Sequence, residues 1–197
     1  MSVTLNSPNA LLLLAIQAQL AAISLPGSPT GALGTIDQDL GQLEDGSIRT
    51  PASWPCALID IEDVVFSNTG ANGQLGKGTV CIRLGFPPFS STSFITPAPY
   101  RNKALYYYEI EQAVYMAFQG WAPSVITVDN TTDPVTTANI GDIWGAFMRI
   151  RAVTERRNDV TRVRCIYFQI SEDDYSATPL GIIYDDPTIT ITETLAT

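Results

Sequence analysis

One segment constrains this chain more than any other. In residues 79–86, Val80, Ile82, Leu84 and Phe86 alternate with Thr79, Cys81, Arg83 and Gly85, and Pro87-Pro88 ends the run. A period of two places the first set on one face of a β-strand and the second on the other. Four large apolar side chains on one face require a covering layer, so the chain must supply a sheet and something to pack on it. A second strand is expected just before, over residues 57–66, where Ile59 and Ile61 alternate with Asp60 and Glu62. A β-hairpin is expected later, over residues 146–156 and 160–170, with a polar turn at Arg157-Asn158-Asp159. Met148, Ile150 and Ala152 form one face of its first arm. Val163, Cys165 and Tyr167 form one face of the second, and Ile166, Phe168 and Ile170 the other.

Two helices supply the cover. Ser7-Pro8 is a helix start, with serine at the N-cap and proline at N1. From residue 8 to about 24, Leu13, Ile16, Leu20 and Ile23 recur at helical spacing, widened by Leu12 and Leu14. The second helix is expected over residues 102–120, with Tyr107, Ile110, Val114, Phe118 and Trp121 on one stripe and Gly120 near its end. The fold class is therefore α+β: a mainly antiparallel or mixed sheet packed by two helices, with long loops and an extended C-terminal tail. Residues 1–175 form one domain. Residues 25–55 and 122–142, rich in glycine, proline and threonine, are its long loops, and the turn between the first two strands takes residues 68–78. Residues 176–197 are the tail, in which 188–192 alternate Thr and Ile as a possible intersubunit strand carried by Ile189 and Ile191.

Composition excludes several functions. Histidine is absent, which removes histidine-based triads and His-ligated zinc. The net charge of −9 opposes general nucleic-acid binding. Cys56, Cys81 and Cys165 form no close-spaced metal pattern, and no cofactor is called for. The apolar run at residues 11–16 is too short for a membrane span and lacks a basic leader. Gly73-Gln74-Leu75-Gly76-Lys77-Gly78 lacks the spacing of a phosphate loop and is better read as a hairpin loop. Asp60 and Glu62 share a strand face; a small metal-dependent enzyme built on them is the least supported reading, and a solvated face the simplest. The charged fraction is only 16 %, against about 25 % in ordinary soluble domains. That shortfall fits a surface covered by partners.

The basic residues are unevenly placed. Arg149, Arg151, Arg156, Arg157, Arg162 and Arg164 are six of the 11 Lys and Arg residues, and all lie on the hairpin. Arg149 and Arg151 are expected on one face of the first arm, Arg162 and Arg164 on one face of the second. Such a patch steers one subunit against another, lines a DNA channel, or is simply solvated. The run Tyr106-Tyr107-Tyr108 turns about 100° per residue on a helix, so not all three rings enter one core. At least one is exposed or lies in an interface.

The order of these landmarks resembles a known group. Pro55-Cys56-Ala57-Leu58-Ile59-Asp60-Ile61 leads to Phe66-Ser67-Asn68, then Gly73-Gln74-Leu75-Gly76, the strand at 80–86, a helix ending Phe118-Gln119-Gly120, and a hairpin entered through Arg151-Ala152-Val153-Thr154-Glu155-Arg156-Arg157. Over residues 55–175 the chain resembles the tail terminator or tail-completion proteins of tailed bacteriophages and prophages of the Bacteroidetes type. The resemblance implies a non-enzymatic virion structural protein, assembled in the host cytoplasm. Its subunits form a homo-oligomeric, commonly hexameric ring that caps the tail tube protein and meets the neck or connector protein. DNA passes through the channel without sequence recognition. A head-closure, neck or minor capsid protein is the alternative within the same class.

Overall fold

A computed structural model describes residues 7–26, 31–44, 53–70, 73–87, 91–123, 125–128, 136–139, 143–157 and 161–174. Two helices and a five-stranded mixed sheet give the α+β fold that the periodicities require. The elements in chain order are α1 (Pro8–Ala21), β1 (Thr35–Gln38), β2 (Cys56–Asn68), β3 (Gln74–Phe86), α2 (Ala98–Phe118), β4 (Val125–Val128), β5 (Thr136–Asn139), β6 (Met148–Glu155) and β7 (Arg162–Asp174). The main sheet runs β1-β2-β3-β7-β6, and β4 and β5 form a separate two-stranded ribbon. β1 is parallel to β2 and every other pair is antiparallel.

β3 is the central strand, paired along its whole length with β7 and along most of it with β2. Its alternation works as the sequence requires on one face: Val80, Ile82, Leu84 and Phe86 are fully buried. Ala57 and Ile59 of β2 and Ile166, Phe168 and Ile170 of β7 join them, and both helices close over this layer. α2 buries Ala104, Tyr107, Ile110, Val114 and Phe118, the expected stripe extended one turn backwards. Phe118, Trp121, Phe147 and Phe168 meet in one aromatic cluster, with ring centroids 5.1–5.9 Å apart. Burying each such ring contributes about 1.5–3 kcal/mol. α1 turns Leu11, Leu12, Ala15, Ile16 and Leu20 into the core, so Leu12 replaces Leu13 on the inner stripe. Gln19 Nε2 donates to the Ala117 carbonyl at 2.8 Å, tying α1 to α2.

Several boundaries differ from the sequence expectations. α1 ends at Ala21 rather than near 24. α2 begins at Ala98, because Pro97 and Pro99 suit a helix start and not a helix interior. Gly120, just past the helix end, takes φ +78°, and its N–H donates to Phe147. Residues 25–55, expected as loop throughout, contain β1, whose parallel pairing with β2 cannot be read from its four residues alone. Likewise the ribbon β4–β5 lies within 122–142. Most of the turn expected at 68–78 is strand: Gly76 and Gly78 belong to β3, opposite Phe66 and Val64. A Cβ on Gly76 would sit 2.9 Å from Phe66 Cε1, so glycine lets those side chains lie across the strand. Residues 188–192, with Ile189 and Ile191, lie outside the described residues.

Candidate interaction surface

The face of the sheet away from the helices carries the polar chemistry. Arg83 of β3 lies at its centre, with only 14 % of its side chain exposed. Its guanidinium donates to Asp39 Oδ2 at 2.6 Å, to both oxygens of Glu44, and to Glu155 Oε1 and Oε2, each at 3.0 Å. These five bonds use the full donor set of an arginine. They tie two separated segments to β3, since Asp39 and Glu44 lie in the stretch that follows β1 and Glu155 ends β6. Arg157 adds a second cation, donating to Glu44 Oε1 at 3.2 Å and to the Leu43 carbonyl. Cys165 donates its thiol to Glu155 Oε1 at 2.9 Å.

Electrostatics follow this arrangement. Burial alone lowers the basicity of Arg83, but its three carboxylate partners reverse the effect and raise its pKa. The hydrogen bond from Arg83 holds Glu44 below the ordinary carboxylate value. Burial pushes Glu155 up, yet the bonds from Arg83 and Cys165 outweigh it and leave it lowered. The segment from Asp39 to Glu44 is thus strapped across one end of the open face. Beneath it, Cys56, Leu58 and Val163 are buried, and burial raises the Cys56 thiol to about 11. Gly85 must be glycine here, because a Cβ would meet Cys56 Sγ at 2.7 Å and Trp54 at 2.8 Å. Leu43 packs on the small cluster of Cys81, Val163 and Cys165.

The other end of the same face is barer. Asp60 and Glu62 are exposed there, and both have raised pKa values, from partial burial and then from a neighbouring carboxylate: Asp39 for Asp60, Asp60 for Glu62. Among the described residues they belong to no group of three or more candidate metal ligands.

The hairpin arginines do not form one patch. A β-bulge between Arg149 and Arg151 shifts the register of β6. Arg149 therefore pairs with Phe168 and lies on the helix side, its guanidinium 3.5 Å from the centre of the Tyr115 ring. Arg151 pairs with Tyr167 and stacks on that ring at 4.3 Å on the open side. Strict alternation had put both on one face; the extra residue, Ile150, overturns this. It also separates Met148 from Ala152. Arg162 and Arg164 do share a face, and both reach Glu111 of α2, at 3.0 and 3.2 Å. Arg162 also lies over Tyr107 at 4.0 Å. Arg156 is exposed. Much of the hairpin charge is thus engaged within the chain.

In the tyrosine run, Tyr107 is buried, Tyr106 is half-buried against the core and Tyr108 is 49 % exposed, as the helical angle demands. Burial raises the Tyr107 hydroxyl to about 12. Sequence reasoning passed over Arg83, because one arginine in a strand carries no signal until its partners are folded around it. It also passed over the exposed apolar side chains Phe94, Ile95 and Met116, while Met148 and Ile150, expected on one hairpin face with Ala152, are exposed.

No family model and no curated protein matches this sequence. Among solved structures, the fold is similar to that of a chain from the virion of a native gene transfer agent particle. The TM-score is 0.52 at 15 % identity, and the alignment covers 85 % of this chain and 98 % of that one.

Proposed function

We propose that this protein is a virion structural subunit of phage type, and specifically a tail terminator. Its subunits close into a hexameric ring on the head-proximal end of the tail tube, stop tube growth and present a surface to the neck or connector. DNA crosses the channel without sequence recognition. The observation that carries the reading is the fold likeness to a chain of a gene transfer agent virion, which takes in nearly all of that chain. The landmark order over residues 55–175 supports the finer assignment to the tail top. Surface chemistry agrees with an assembly role: exposed apolar side chains at Phe94, Ile95, Met116 and Ile150 accompany a charged fraction of 16 %. A ring needs complementary heterologous surfaces that close by rotation. Arg149, Arg151 and Arg156, with Tyr108, are the hairpin and helix residues available to such surfaces, whereas Arg157, Arg162, Arg164 and Tyr107 serve chiefly within the subunit.

Native mass spectrometry of the full-length protein is the direct test. The expected species is six times the 21.3 kDa subunit, and immunogold labelling of particles should mark the tail top. A concentration-independent monomer overturns the ring. Label on the capsid shell or head-side connector instead moves the protein to the head-closure, neck or minor capsid class.

A further inference from the structure

β6 is an edge strand. β7 pairs with one side of Met148–Glu155, and among the described residues no strand pairs with the other. An edge of this kind offers a row of N–H and C=O groups to an incoming strand, and proteins usually blunt it with bulges, charge or cover. β6 is blunted only at its start. There the bulge falls, and there Gln119 Oε1 accepts from the Arg149 N–H at 3.0 Å. From Arg151 to Glu155 the pairing with β7 is regular, and exposed Ile150 and Val153 add apolar surface.

We infer that residues 188–192 of a second copy of this chain dock on the free edge of β6 and extend the sheet across the subunit boundary. This rests on the homo-oligomer proposed above and names one of its contacts. Length is the first argument. The regular edge is five residues, 151–155, and the segment Thr-Ile-Thr-Ile-Thr is five residues of high β-propensity. Added strands gain main-chain hydrogen bonds and set side chains alternately on the two faces, with Ile189 and Ile191 together on one of them. Charge is the second argument. Asp185, Asp186 and Glu193 flank the segment, while Arg149, Arg151 and Arg156 flank the edge. Arg149 and Arg151 rest on tyrosine rings, and Arg151 feels Glu62 only at a distance, so neither guanidinium is closed off by a carboxylate at ion-pair distance among the described residues. Reach is the third. β7 ends at Asp174, beside the start of β6, and residues 175–187 intervene before the segment. Extended, those thirteen residues span about 40 Å. Stepping over one strand in the same subunit needs only about 5 Å, whereas about 40 Å is the diameter of a domain of this size. Pro179 and Pro187 favour an extended connection.

The test uses full-length chains and engineered cysteines. The native cysteines are buried, but Cys165 lies directly opposite Val153 on β7, so every chain carrying Val153→Cys also carries Cys165→Ala to exclude a link within the hairpin. Val153→Cys in one tagged chain is co-expressed with Ile189→Cys, Thr190→Cys or Ile191→Cys in another, since a disulfide forms only where Cα atoms come within about 7 Å. Mild oxidation should give a covalent heterodimer of twice the subunit mass from at least one combination. Deletion of residues 188–197 should raise the concentration for half-assembly at least tenfold. A link that forms only within a doubly substituted chain overturns the contact between copies in favour of a fold-back. No link in any combination, with the oligomer intact by native mass, overturns the docking while the ring stands. A monomeric native mass overturns both.

Discussion

Alternate residues of β3 face two different environments. On the helix side, Val80, Ile82, Leu84 and Phe86 are sealed by α1 and α2. On the other side, Cys81 and Arg83 lie under a partial cover, and Arg83 binds three carboxylates. The first face is held by area removed from water, which needs only the right pattern. The second is held by geometry, because an arginine in the middle of a sheet is tolerated only when its donors are all met. The open face also divides along its length. At the strapped end cations hold carboxylates ionised; beyond it, partial burial and then a neighbouring carboxylate, Asp39 for Asp60 and Asp60 for Glu62, make Asp60 and Glu62 harder to ionise.

Substitutions that separate the two faces follow, from the largest effect down. Phe118→Ala, at the hub of the aromatic cluster, should lower unfolding free energy by about 4 kcal/mol, read by urea denaturation. A loss below about 1 kcal/mol would mean that the helix face is not the main core. Arg83→Met should cost about 3 kcal/mol, because it leaves Asp39, Glu44 and Glu155 together without their shared cation, tempered by the exposure of Glu44. It should also free the strap, so protease cleavage between Asp39 and Glu44 should rise. An unchanged cleavage rate would break the link between the ion cluster and the strap. Glu111→Gln removes the carboxylate under Arg162 and Arg164 and should cost about 2 kcal/mol. If Glu111→Gln leaves stability unaltered, those arginines are not held by the helix.

The two ends of the open face should respond to pH with opposite sign. Glu44 and Glu155 have folded pKa values below the ordinary 4.5. Their stabilisation is present above that value and is lost as pH falls through the lower folded values. Asp60 has a folded pKa above its ordinary 3.8. Its contribution is fully present below 3.8 and is lost as pH rises through the higher folded value. Asp60→Asn should therefore raise stability at pH 7, by less than about 1 kcal/mol for so exposed a group, and have no such effect at pH 3. Thermal melts at both pH values measure this. A destabilised variant at pH 7 would show that Asp60 makes a favourable contact.

Legibility in the sequence tracked the kind of force. The apolar stripe of α2 and the alternation of β3 were readable because burial repeats with the period of the element. The angular argument for Tyr106, Tyr107 and Tyr108 held for the same reason, one buried, one half-buried and one exposed. The arginines of the hairpin were readable as a cluster but not as a surface. One bulge at Ile150 sends Arg149 and Arg151 to opposite faces, and nothing local in Met-Arg-Ile-Arg-Ala announces it. β1 was hidden because four residues in a glycine-rich stretch become a strand only by pairing with β2.

By itself, then, the sequence determined the two covering helices, the central strands and the apolar layer between them, since periodicity is a property of neighbouring residues. Tertiary structure alone decided which arginines remain on the surface and that Arg83 is a hub. It also left β6, and not β3 or β7, as an edge. Those outcomes depend on residues distant in the chain meeting at hydrogen-bond distance, and no local pattern encodes a partner that is more than 70 positions away, as Glu155 is from Arg83.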